Sequence, residues 1–71
     1  MPNPWRLTPR QEQLLDAYIA SGQVTLAAEK VGMQESTANE HLGRVKRRMG
    51  KRFLIHAVLE WDRWRNNGTA A

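Results

Sequence analysis

TLAAEKVGMQESTANEHLGRVKRRM, residues 25–49, is the stretch whose reading decides the fold. Its centre is Gly32. A helix that stops after about two turns and restarts at a steep angle needs a residue tolerant of positive φ at its C-terminal end, and glycine adopts that conformation at least cost. Four residues upstream, Ala28 has a side chain small enough for two helices to approach closely. Downstream, Ala38, Leu42, Val45 and Met49 are spaced at intervals of four, three and four, which places them on one face of a helix. The opposite face carries Ser36, Glu40, Gly43 and Arg47, flanked by Asn39 and Arg44. The stretch predicts a short helix, a tight turn and a longer helix with one buried and one polar stripe.

That is the form of a helix-turn-helix, whose second helix lies in the major groove of DNA. An ordinary helical hairpin with a solvated charged face produces the same pattern, so the distribution of charge matters. The chain carries a net charge of +4, and six Lys or Arg residues fall between Arg44 and Arg52, whereas the first 43 residues hold five acids against three bases. Positive charge concentrated at the end of the longer helix attracts polyanions, and neutralising phosphates would make binding fall steeply with salt. The competing reading, a membrane-surface helix, requires one continuous amphipathic helix with bulky apolar residues opposite the bases. Gly43 and Gly50 argue against it.

Outward from this unit, Thr8-Pro9-Arg10-Gln11 is a helix start. Thr8 suits the N-cap, Pro9 the first helical position and Gln11 the reciprocal place in a capping box. Leu14, Leu15, Tyr18 and Ile19 form the apolar face of this first helix, which Ser21-Gly22 ends. Thr25 is the expected cap of the second helix, which runs to about Val31 with Leu26, Ala27 and Val31 as its apolar residues. The third helix begins between Gln34 and Ser36, with Ser36 the better cap, and Gly50 closes it. A fourth helix is expected from about Arg52 to Arg65, unusually rich in apolar side chains. Leu54, Val58 and Trp61 face the core, leaving apolar area at Ile55, Leu59 and Trp64 for a partner. A homodimer through this helix, with Ile55, Leu59, Trp61 and Trp64 at its interface, is the expectation. Residues 1–6, with Pro2 and Pro4, read as an irregular arm whose Trp5 either covers that apolar area or hangs free. Residues 66–71 read as a flexible tail.

Seventy-one residues make one domain with a small core. Without cysteine, neither a disulfide nor a cysteine-ligated zinc is possible. No apolar run reaches the roughly 18–20 residues of a membrane span, and the opening MPNPWR lacks the apolar stretch of a signal peptide. A cytoplasmic setting is expected. The two histidines, His41 and His56, have no acids at ligand spacing beside them, and Gly50-Lys51 lacks a glycine-rich phosphate loop. No enzyme activity, cofactor or metal is expected. His41, at the edge of the buried stripe, reads as a structural hydrogen-bonding residue.

From Leu7 to Trp61, about three-quarters of the chain, the sequence resembles the LuxR/GerE-type helix-turn-helix domain. Leu7-Thr8-Pro9-Arg10-Gln11 is similar to that family's opening LTPRE. Gly22 matches the glycine after its first helix, and Ala28, Gly32, Thr37 and His41 fall at the spacing of its A…G…T…H pattern. Arg44-Val45-Lys46-Arg47-Arg48-Met49-Gly50 resembles its closing segment. The sequence departs from the family at Gln34 and Ala38, in shorter connections after Gly22 and after Met49, and in lacking basic residues at Asn39, Glu40 and Gly43, the positions from which family members contact bases. The resemblance implies an all-α, four-helix domain, standing alone, in which the third helix reads DNA and the fourth dimerises. Residues 7–33 also resemble the N-terminal helix-turn-helix of phage small terminase subunits, a second DNA-recognition reading.

These readings assign roles. Ser36, Asn39, Glu40, Gly43 and Arg47 are expected to face base edges, with Asn39 suited to adenine and Glu40 to cytosine. Thr25, Thr37, Arg44, Lys46, Arg48, Lys51 and Arg52 are expected to hold phosphates and so position the helix. The alternative from another class is a protein-interaction module, an inhibitor that keeps the helix-turn-helix shape and binds a regulator through the apolar fourth helix.

Overall fold

The computed structural model describes residues 3–70, with side chains to Asn67. Four helices make up its regular structure, with no strand among the described residues: α1 (Pro9–Ser21), α2 (Val24–Val31), α3 (Glu35–Met49) and α4 (Leu54–Ala70). The expected all-helical class and helix count are what is found.

Helix α1 starts as its sequence dictates. The Thr8 hydroxyl accepts from the Gln11 N–H at 3.2 Å, and the Gln11 side-chain carbonyl accepts from the Thr8 N–H at 3.0 Å. This reciprocal pair satisfies two donors that a helix start otherwise leaves open. Between α2 and α3 run only Gly32, Met33 and Gln34. Gly32 sits at φ 71°, its N–H bonded to the Glu29 carbonyl, while the Met33 N–H reaches back to the Ala28 carbonyl at 2.9 Å. This is the double bond of a Schellman ending, which requires the left-handed conformation.

Two expected caps move. Helix α2 is capped by Gln23, and Thr25 lies inside its first turn, where its hydroxyl donates to Glu35 Oε2 at 3.1 Å. Helix α3 is capped by Gln34 with no side-chain bond, and Ser36 is already helical. In both cases extended backbone at the glutamine lets its carbonyl accept the first helical bond, from Ala27 and from Ala38, without a capping side chain. Helix α4 begins two residues later than expected and continues to Ala70 through the segment expected to be a tail. Nothing between Arg65 and Ala70 breaks a helix outright: one Gly, no Pro.

The core is built where α1, α2 and α3 meet through small residues. Ala17, Ala27, Ala28 and Ala38 are buried, and Leu14, Leu15, Leu42, Val45 and Met49 fill the space they leave. The stripe Ala38, Leu42, Val45, Met49 is buried throughout, as its spacing predicts. On α1 and α2 the expected Leu14, Leu15 and Ala27 are buried, and one residue of each expected face is turned outward. Ala17 is inside while Ile19 is 41 % exposed, and Ala28 is inside while Leu26 is exposed to the same extent. Alanine supplies the close approach, so the larger neighbours are turned outward.

Helix α4 closes the core from the other side with Ala57, Val58 and Trp61. Trp61 is 1 % exposed, and its indole N–H donates to Asp16 Oδ1 on α1 at 3.1 Å. Arg65 donates to the other oxygen of Asp16 at 2.7 Å and lies over the Trp61 ring. Trp61 is thus a core residue of the single chain, as its place with Leu54 and Val58 predicts, and its other expected place, at a dimer interface, is corrected. Its size suits an interface anchor, but the carboxylate forty-five residues earlier claims its N–H.

The arm folds back onto this closure. Trp5 lies 6.3 Å from the Trp61 ring centroid and 5.8 Å from that of Trp64, and Trp61 and Trp64 stack at 5.3 Å. Asn3 fixes the arm. Its carbonyl oxygen accepts from the Leu7 N–H at 2.7 Å, and its amide donates to the Leu7 carbonyl and to the Glu12 carboxylate.

Truncating Trp61 removes the largest buried side chain. Trp61→Ala is expected to cost about 3–5 kcal/mol, much of the stability that a chain of this length holds. Urea unfolding followed by far-UV circular dichroism would show the loss. A change under about 1 kcal/mol would mean that α4 does not depend on this contact.

Candidate nucleic-acid interface

The outward face of α3 is presented by the burial of its opposite side. Ser36, Asn39, Glu40 and Arg47 are exposed and Gly43 is half-buried, so the residues expected to read bases do share the accessible side of one helix. A side chain at Gly43 would meet nothing within 4 Å, so nothing in the protein itself requires glycine there. Thr37 is exposed beside this stripe.

The basic residues separate into two groups. Among the described residues, none of Arg44, Lys46, Arg47, Arg48 and Arg52 is in an ion pair, whereas the Lys51 ammonium is paired with Glu60 on α4. Of the residues expected to hold phosphates, Lys51 therefore has an internal carboxylate as partner, and Thr25 spends its hydroxyl proton on Glu35. The rest keep their donors free of internal carboxylates. At the end of α3, Arg44, Arg47 and Arg48, spaced on one helical face, line an open cleft of about 390 Å³ with Arg6, Thr8 and Gln11. The structure sets Arg47 beside the expected phosphate-holding residues Arg44 and Arg48.

Arg6 and Asn3 were not legible as site residues. The sequence signal was the Asn3-Pro4 pair, which favours turn initiation. The direction in which that turn carries the chain is set by the Asn3 bonds to Leu7 and Glu12. The Arg6 N–H bonds the Asn3 carbonyl at 3.4 Å, and Arg6 is held at φ 58°. It is the one non-glycine residue at positive φ among those described. Left-handed backbone costs an L-residue roughly 1–2 kcal/mol, offset here by the Asn3 bonds on either side.

The apolar surface lies elsewhere. Ile55 and Leu59 are each 55 % exposed, and with Tyr18, Ile19, Gly22, Val58 and Asp62 they surround a shallow depression between α1 and α4. Trp64, half-buried against Trp5 and Trp61, lines with Trp5 and Leu59 a separate cleft along α4. Of the four expected interface residues, Ile55 and Leu59 are thus brought together, Trp64 is partly covered by the arm and Trp61 is buried. His41 Nδ1 is enclosed with no hydrogen-bond partner, so the structural bond expected of it is not made at that atom. Among the described residues no three His, Asp or Glu side chains gather as a metal site, and no helix is long and apolar enough to cross a membrane.

Because Gly43 faces open space, Gly43→Ala is expected to raise stability by about 0.5–1 kcal/mol, the helix-propensity difference. Thermal denaturation measures it, and a lower midpoint would refute the open setting described for this residue. Comparisons with models of protein families, with curated proteins and with solved structures give no match to this chain.

Proposed function

We propose that this chain is a sequence-specific, double-stranded DNA-binding transcription regulator of the cytoplasm. Its α2–turn–α3 unit acts as a LuxR/GerE-like helix-turn-helix, with α3 in the major groove and a homodimer formed through α4. The observation that carries this reading is the run of basic residues on α3 without internal carboxylates, at the end of an exposed polar stripe. A cation that the fold leaves unpaired has no internal ion pair to break when it meets a phosphate, and several on one helix create a local field that draws in a polyanion. Ser36, Asn39 and Glu40 lie toward the N-terminal end of α3, the part of a recognition helix that reaches base edges. Glu40 lowers non-specific affinity through its charge and so sharpens preference for a site offering a cytosine amino group. The exposed Ile55 and Leu59 support dimerisation, which would pair two recognition helices on a two-fold operator.

A second reading has its own observation. The face formed by Ile19, Ile55 and Leu59 is also what a protein-interaction module would present to a regulator.

Fluorescence anisotropy with a random-sequence duplex across a salt series separates the two. Micromolar binding is expected, with log affinity falling against log salt at a slope of about −4 to −5 per protomer if Arg44, Lys46, Arg47, Arg48 and Arg52 each neutralise a phosphate. Absence of binding even at low salt would rule out the DNA reading. Glu40→Ala is expected to tighten binding to random DNA while reducing the preference for the selected site, and uniformly weaker binding would remove Glu40 from the groove. Leu59→Glu, on an exposed position, is expected to yield folded monomers by light scattering. A dimer unaffected by that charge would place the interface elsewhere.

A further inference from the structure

We infer that the cleft between the arm, the start of α1 and the end of α3 is a clamp for one backbone phosphodiester of duplex DNA, with Arg6 as its outer jaw. This rests on the DNA reading above and adds to it a site and a residue.

The chemistry of the cleft is one-sided. Arg6, Arg44, Arg47 and Arg48 line it together with Thr8 and Gln11, and no carboxylate is among its lining residues. None of the four guanidiniums is in an ion pair among the described residues. Like charges gathered without a counter-charge repel one another, and an anion bound among them would relieve that repulsion. The first-turn donors are not what would hold it. The Thr8 N–H and the Gln11 N–H are taken up by the capping box. Guanidinium N–H groups remain, and their planar fork matches the oxygens of a phosphate.

Arg6 reaches this place by constraint. Its φ of 58° is held between the Asn3 carbonyl, which accepts from its own N–H, and the Asn3–Leu7 bonds. The arm thereby contributes a fourth guanidinium from a different element, across the cleft from α3.

The position of the cleft selects duplex backbone over a free anion. The stripe of Ser36, Glu40, Gly43 and Arg47 runs without interruption into it. Eleven residues of helix cover about 16 Å, more than the roughly 12 Å width of the major groove. A helix entering the groove by its N-terminal turns therefore brings its arginine end to the groove wall, where the phosphates are.

The test is the anisotropy salt series with a random-sequence duplex, run on wild type, Arg6→Gly and the control Arg63→Ala on α4. Glycine takes positive φ freely, so Arg6→Gly removes the guanidinium while favouring the arm's conformation. Expected are a three- to ten-fold loss of affinity near 0.1 M salt, a salt slope shallower by about one, and a thermal midpoint at or above that of wild type. Arg63→Ala should keep the wild-type slope. An unchanged slope in Arg6→Gly, or lost affinity accompanied by a lower thermal midpoint, overturns the clamp and leaves the DNA reading standing. Failure of wild type to bind overturns both. A thermal midpoint raised by millimolar inorganic phosphate in wild type alone, with the DNA slope of Arg6→Gly intact, would make the cleft a small-anion site and overturn the assignment to DNA.

Discussion

The burial of Trp61 against Asp16 is the contact on which the fold depends. Three helices joined by alanines enclose little apolar volume, and in a chain this short the alanine contacts alone leave the core thin. Trp61 supplies bulk from the far end of the chain, and its polar edge is met by a carboxylate that also binds Arg65. The same residue offers its face to Trp5, so the arm has a surface to lie on. Without α4 the first three helices lack a lid, and without the lid the arm has no anchor at Trp5. The polar side of α3 is held toward solvent only because its other side is committed to this core.

Much of the helical plan was written locally. The capping box at Thr8 and Gln11, the left-handed glycine at position 32 and the four-three-four stripe on α3 each involve residues of one short segment, and each is found. The features that the sequence did not disclose depend on distant partners. Periodicity sets Trp61 on the core-facing side of α4 with Leu54 and Val58 but leaves it a second place at a dimer interface, and the bond to Asp16 decides between them. It cannot place Thr25 inside a helix rather than at its start, because the partner of its hydroxyl is Glu35, across the turn. Arg6 reads as part of an irregular arm, and the Asn3 bonds to Leu7 and Glu12 together with the seating of Trp5 on Trp61 bring it to the end of α3.

The electrostatics share one pattern. Near α4 two cations find partners, Lys51 with Glu60 and Arg65 with Asp16. Those along α3 do not. Exposed ion pairs add little stability, so the difference matters less for the strength of the fold than for where the chain leaves its field uncompensated. The uncompensated side is the arm and the end of α3, and the apolar Ile55 and Leu59 are on another face. A polyanion and a second copy of the chain would not compete for the same surface.

The clustering of Trp5, Trp61 and Trp64 has an optical consequence. These are all the tryptophans of the chain, with ring centroids 5.3–6.3 Å apart. Indoles this close couple as excitons and share excitation, so the tryptophan part of the emission and near-ultraviolet dichroism originates from one junction, that of the arm with α4. The intrinsic fluorescence of this protein is therefore a gauge of whether the arm is seated. Unseating Trp5 would change the surroundings of Trp61 and Trp64, so movement of the segment that carries Arg6 would register in this label-free signal.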